Sequence, residues 1–251
     1  MAEVIFLGTA SALPTLTQEN SYLVLSGDEH ATLVDCAGSP YRQLLQAELD
    51  LRRLDSLILT HFHPDHVYGL PALLIALWLT GRSAPLHLHA TAEVLASAQR
   101  LIALFQPEKW PGMLTLHPHV IPDKPGAAVL ANSDFEIMAA PVRHIIPTIG
   151  LRVVNRRSGA ALAYSSDTEP CAAVSLLAGQ ASLLIHEASG ATMGHSTAEQ
   201  AGRIAQEAGA ERLVLTHYDS AETPPAILQR EARKTFTGPI HVAQDIDRFT
   251  W

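Results

Sequence analysis

The feature that most constrains this chain is an apolar run that ends in a cluster of ligating side chains. Leu57-Ile58-Leu59-Thr60 leads directly into His61-Phe62-His63-Pro64-Asp65-His66, which holds three imidazoles and a carboxylate within six residues. While the segment stays extended, His61 and His63 fall on one side and Phe62 on the other. Pro64 ends the strand, and the turn after it re-aims Asp65 and His66. One short loop can therefore offer two ligands to one cation and two to a neighbour. Imidazole nitrogen with carboxylate oxygen is a donor set that suits zinc, manganese or iron. Without a cation these groups need hydrogen-bond partners, because burying them unpaired is costly.

Short apolar runs of the same kind recur along the chain: 4–7, 22–25, 32–34, 57–59, 86–89, 135–138, 151–154, 161–164, 183–185, 213–215 and 240–242. Most end in a polar residue or glycine, as buried strands do. Helical patterns lie between many of them, at 41–48, 71–80, 92–104, 171–177, 197–208 and 225–235. The helix at 197 follows Ser196, an expected N-cap with Glu199 three residues on. The segment Gln106–Gly126, with five prolines, reads as an irregular excursion. With 47% apolar and 17% charged residues, and no repeat or linker, residues 1–251 read as one globular domain. Strands mixed with helices in this order predict an α/β (α+β) architecture, a pair of sheets with helices outside.

Several separated motifs resemble the metallo-β-lactamase superfamily, and within it the ribonuclease Z (tRNA 3′-processing) branch. These are Phe6-Leu-Gly-Thr-Ala-Ser-Ala-Leu-Pro14, Leu33-Val-Asp35-Cys36, the histidine loop with its sequel Tyr68-Gly-Leu-Pro71, and His144-Ile-Ile-Pro-Thr-Ile-Gly-Leu151. Ser166-Asp167-Thr168, Leu215-Thr-His217-Tyr218 and His195-Ser-Thr-Ala-Glu-Gln-Ala-Gly202 complete the likeness. The resemblance implies a four-layer αββα sandwich around two divalent metal ions, zinc or alternatively manganese or iron. It implies that His61, His63 and His144 serve one ion, Asp65, His66 and His217 the other, and that Asp167 bridges them. Asp35 would brace the site from behind. The pair His186 and Glu187 stands beside it as a second support, on an open choice between bracing and plain packing.

The same resemblance makes a phosphodiester the substrate, either RNA or a small nucleotide. Asp65 would then act on the attacking water and His195 on the departing oxygen. Relatives that cleave thioesters or lactones tend to carry Gly-His-Thr-Pro-Gly-His at the third motif, and this chain does not. Ribonuclease Z carries a long tRNA-gripping arm between the third motif and the bridging aspartate. Here only residues 145–166 separate His144 from Asp167, enough for two strands and a turn, so the arm is missing. Arg143, Arg152, Arg156 and Arg157 make this stretch locally basic, which reads more readily as a solvated face than as a clamp. A metal-free nucleotide-binding scaffold is the non-enzyme alternative, and its signature would be lost ligands.

The remaining histidines carry less context. His87 and His89 form a pair with no acid or third histidine directly after them, and read as packed or surface residues. His117 and His119 lie in the proline-rich stretch and read as exposed. A net charge of −8 disfavours nucleic-acid binding by the surface as a whole. Two cysteines, Cys36 and Cys171, are too few for a disulfide framework and suit a reducing compartment, so the expectation is a cytoplasmic protein. The best apolar segment, Leu70–Leu79, is too short to span a bilayer and contains Pro71. A homodimer is expected from the family likeness alone.

Overall fold

The computed structural model describes residues 2–251. The first half of the chain builds one sheet from β1 (Glu3–Gly8), β2 (Tyr22–Ser26), β3 (Ala31–Val34), β4 (Leu54–Ile58), β5 (Leu86–Ala90) and β6 (Leu116–Val120). The second half builds another from β7 (Ala127–Ala131), β8 (Phe135–Val142), β9 (Thr148–Asn155), β10 (Ala161–Tyr164), β11 (Leu183–Glu187), β12 (Leu213–Thr216) and β13 (Ile240–Val242). The last strand, β14 (Arg248–Thr250), returns to the first sheet and pairs antiparallel with β1. Strand orders are β14-β1-β2-β3-β4-β5-β6 and β13-β12-β11-β10-β9-β8-β7.

The strands are apolar on both faces because both are covered. On β1, Ile5 and Leu7 join a core with Leu44, Leu73, Leu77 and Val94, beneath α1 (Pro40–Gln46), α3 (Leu70–Leu79) and α4 (Ala92–Ala103). Val4 and Phe6 point the other way, into a core between the sheets with Phe135, Ile149, Leu162 and Val214. A third core lies outside the second sheet, where Leu184, Leu213 and Leu215 meet α5 (Ala172–Ala178), α6 (Ala198–Ala208) and α7 (Pro225–Ala232). The layers are therefore αββα. Among the described residues no helix is long and apolar enough to cross a membrane.

Local departures from the sequence reading have identifiable causes. Residues 64–67 form a single helical turn, α2 (Pro64–Val67), with Pro64 at its first position, where a missing N–H costs nothing. The proline-rich stretch is not wholly irregular. It holds a 3-10 turn at Pro107–Lys109 and then β6, which pairs parallel with β5. Pro118 is tolerated there because β6 is an edge strand, with one side free of ladder bonds. The cap of α6 is Thr197, not Ser196. The Thr197 side chain accepts the Gln200 N–H, and the Gln200 side chain accepts the Thr197 N–H in return. Ser196 is instead buried and donates its hydroxyl to the Thr168 carbonyl at 2.6 Å.

Between β9 and β10 the chain turns within residues 156–160, and the two strands pair directly, Ala161 opposite Val154. No arm leaves the sandwich at this point. The four arginines of the region are engaged within the chain. Arg143 pairs with Glu169 at 2.8 Å, Arg157 pairs with Asp28, Arg152 donates to the carbonyls of Leu177 and Gly179, and Arg156 donates to Asn132.

Candidate metal centre

The histidine loop leaves the end of β4, in the first sheet, and meets residues carried past the ends of strands in the second. His144 follows β8, Asp167 follows β10, and His217 follows β12. One oxygen of Asp167 lies 3.3 Å from His217 Nε2, 3.5 Å from His66 Nε2, 3.8 Å from His61 Nε2 and 3.9 Å from His144 Nε2. Four overlapping ligand-sized groups share this corner, among them His61, His63, His144 and Asp167 on one side and Asp65, His66 and His217 on the other; a further one joins His195 to Asp167 and His217. Asp65 lies 3.6 Å from both His66 Nε2 and His217 Nε2. The seven residues of the two sets named from the sequence thus come together in one place.

The backbone accepts strain to achieve this. Asp35, Ser166 and His217 have φ of 62°, 53° and 49°, left-handed values that non-glycine residues rarely adopt. Each follows directly on a strand or lies within two residues of its end, where the chain must turn sharply to aim a side chain. Such strain persists only where surrounding contacts enforce it.

Hydrogen bonds fix which nitrogen of each ring faces the centre. The Asp35 carboxylate accepts the Thr60 backbone N–H at 2.8 Å, the Thr60 hydroxyl at 2.8 Å, and His66 Nδ1–H at 2.9 Å. Since Thr60 spends its proton on Asp35, its oxygen accepts from His61 Nδ1, 3.0 Å away. The Ser189 hydroxyl likewise donates to the His217 carbonyl and so accepts His217 Nδ1–H, both at 2.7 Å. The Gly194 carbonyl accepts His144 Nδ1–H at 2.7 Å. Four rings are thus held as the Nδ1–H tautomer, with the Nε2 lone pair left for a cation.

The inward atoms fit divalent cations. His61 Nε2 and the other Asp167 oxygen, Oδ1, are buried and have no hydrogen-bond partner. His144 Nε2 faces His63 Nδ1 at 3.1 Å, and His66 Nε2 faces His217 Nε2 at 3.3 Å. Two nitrogens each about 2.0–2.1 Å from one tetrahedral ion stand roughly 3.3 Å apart. Burial, together with the neighbouring rings, holds His61 well below the ordinary imidazole value, and burial also lowers His63 and His144. These rings are neutral near pH 7, as ligands must be. Burial opposes charge on Asp167, yet His217, His66 and His61 hold its carboxyl well below the usual range. Burial also opposes a second proton on His66, but Asp167 and Asp35 outweigh it and raise that ring. The negative field that retains a proton there receives a metal ion in its place.

His195 lies at the edge of the cluster. Its ring stacks on His217 with centroids 5.7 Å apart and meets His144 edge-on at 5.0 Å. Glu187 accepts from its Nδ1 at 3.0 Å, and from the backbone N–H groups of Ser196, Ser189 and Thr168. His186 does not share this role. Strand alternation turns it to the opposite face of β11, where Nδ1 meets the Glu187 carbonyl and Nε2 is buried without a partner. Of the expected supporting pair, Glu187 alone touches the site. Thr60, Ser189 and Gly194 hold rings in place and were not singled out from the sequence, since a hydroxyl or a carbonyl gives no spacing signal.

Residues 30–218 match the family described as the Beta-lactamase superfamily domain. The chain belongs to the metallo-β-lactamase superfamily. A ribonuclease Z from Myxococcus xanthus is 30% identical over 98% of this chain and 96% of its own length. That alignment runs over 302 positions against a chain of 251 residues, so the relative carries segments with no counterpart here. The short form of human tRNase Z is 26% identical with a TM-score of 0.80, covering 99% of this chain and 98% of its own. The metallo-beta-lactamase fold protein YhfI from Bacillus subtilis has a TM-score of 0.84 at 23% identity over 99% and 98% of the two chains, a likeness of fold. Among superfamily members this chain stands on the ribonuclease Z-like branch, with a tight β9–β10 turn.

Proposed function

We propose that this chain is a dinuclear, metal-dependent phosphodiesterase of the ribonuclease Z kind, acting on RNA or a small nucleotide ester. The observation that carries this reading is the single Asp167 oxygen within 3.9 Å of four inward-facing imidazoles, two from each side. His61, His63, His144 and Asp167 would hold one ion, and Asp65, His66, His217 and Asp167 the other. Zinc suits this imidazole-rich set, and manganese or iron are the alternatives. Bound there, two cations supply Lewis acidity, making water more acidic and neutralising phosphoryl charge.

The chain's own groups divide the remaining work. Burial pushes Asp65 up, but its hydrogen bond to His217 and the nearby His66 and His217 rings hold its carboxyl below its usual value. It therefore stays ionised and orients the attacking water or receives its proton. Burial likewise opposes charge on His195, but its bond to Glu187 raises it above the ordinary imidazole value. A ring that keeps its proton near neutrality suits the role of acid to the departing oxygen. The Tyr68, Ile145 and Met193 side chains are exposed along the same loops and offer apolar contact to a base or sugar.

The tight turn where the branch carries its tRNA-gripping arm favours a substrate that needs no remote grip. Parallel assays with bis(p-nitrophenyl) phosphate and a 3′-extended tRNA, each with zinc or manganese, test the reading. Metal-dependent turnover of the small ester supports the phosphodiesterase, and cleavage of the tRNA assigns the processing role as well. Metal-replete protein inert towards both refutes it.

A further inference from the structure

Four histidines outside the centre gather where β5 and β6 form the outer edge of the first sheet. The parallel register sets His87 beside His117 and His89 beside His119. Leu86, Leu88 and Leu116 face the helices, so alternation turns all four imidazoles to the opposite face. The rings touch one another. Centroids are 4.6 Å apart for His89 and His119, 5.0 Å for His87 and His119, and 5.2 Å for His87 and His117. None of these rings stacks on a histidine of the candidate centre among the described residues.

Two observations point to a ligand. His87 Nδ1 and His119 Nε2 face each other at 2.8 Å, so two lone pairs share a single proton. His89 is only 5% exposed, yet its Nδ1 has no hydrogen-bond partner, which burial penalises. Burial, with His119 and His87 beside it, drives His89 down to about 4, and burial also lowers His119. His89 and His119 therefore favour the neutral form, which keeps a lone pair on each ring. Opening the His87–His119 pair by about half an ångström reaches the roughly 3.3 Å separation of two imidazoles on one tetrahedral ion. Exposed His119 makes that adjustment easily.

We propose that this edge is a separate transition-metal site, in which His87 and His119 coordinate one zinc, nickel or copper ion and His89 and His117 enclose it. Imidazole is the donor these metals share. The cation takes the place of the shared proton, which moves to the other nitrogen of the ring that carried it so that both imidazoles stay neutral, and water completes the coordination. The site is independent of the proposed activity, since none of its residues belongs to the candidate centre.

The test is metal counting on the folded protein. Chelator-stripped wild type and the double variant His87→Ala/His119→Ala are dialysed against the same buffered zinc, and bound metal is measured by mass spectrometry. Wild type should hold one more ion per chain than the variant, with bis(p-nitrophenyl) phosphate turnover equal in both. Equal metal content overturns the proposal. If the double variant does not fold, the single variant His119→Gln, at an exposed position, must show the same loss, and unchanged content there overturns it equally.

Discussion

One Glu187 oxygen lies 3.0 Å from His195 Nδ1, and the same oxygen accepts the backbone N–H of Ser196 and of Thr168. The carboxylate is thereby clamped from two loops, and it fixes both the tilt and the tautomer of the imidazole. Nδ1 carries the proton that faces Glu187, which leaves Nε2 as the nitrogen available to substrate. Replacing His195 with alanine should cut turnover by about 10²-fold or more, the usual worth of a general acid. Metal content should stay at the wild-type level, because other side chains fill both proposed ligand sets. Unchanged turnover of bis(p-nitrophenyl) phosphate would reject the acid role.

Glu187→Gln separates charge from position. The amide can still accept from the backbone, but it no longer stabilises an imidazolium. Glu187 raises His195 above its ordinary value, so the protonated acid persists to higher pH in the wild type. Activity that needs the protonated ring is full at low pH and falls as pH rises through that value. In the variant the alkaline limb of the kcat profile should therefore move to lower pH. An unmoved limb with reduced kcat would mean that Glu187 only holds the loop.

Much of this site was legible because its chemistry is written in strand ends. His61 to His66, His144, Asp167 and His217 each follow an apolar run, and a buried strand must stop where its polar residues begin. The sandwich could be read for the same reason, since runs such as Val4–Leu7 are apolar on both faces. What stayed hidden depends on neighbours far along the chain. β6 could not be read from Leu116-His117-Pro118-His119-Val120, because only pairing with β5 makes an exposed, proline-bearing segment a strand. The same pairing gathers His87 and His89 with His117 and His119, thirty positions apart. His186 and Glu187 looked alike until the register of β11 sent them to opposite faces.

Asp167 is the group on which both proposed ligand sets depend. Asp167→Ala should lose metal from both, and activity with it, as measured by metal analysis and ester turnover. The metal-loaded wild type should also be the more stable protein. An ion at a hundredfold excess over its dissociation constant adds about 2.7 kcal/mol to unfolding. Chelation should lower the wild-type Tm by clearly more than it lowers the variant's. A fully loaded, active Asp167→Ala protein would contradict the bridging role.

Acid sensitivity should trace in part to His89. Its folded value is about 4, against about 6.5 for an unfolded histidine. Between those values the unfolded chain binds a proton that the folded chain refuses, so stability rises with pH across the window. The contribution is complete above about pH 6.5 and is lost as pH falls towards 4. From pH 7 to pH 5 the loss is about 2 kcal/mol for this one side chain. Urea unfolding without added metal should show that much less pH dependence in His89→Gln than in the wild type, since an amide does not titrate. His119, stacked on it, is also lowered but exposed, so His119→Gln should change the slope far less. Equal slopes for the wild type and His89→Gln would show that the ring is protonated in the fold at no cost.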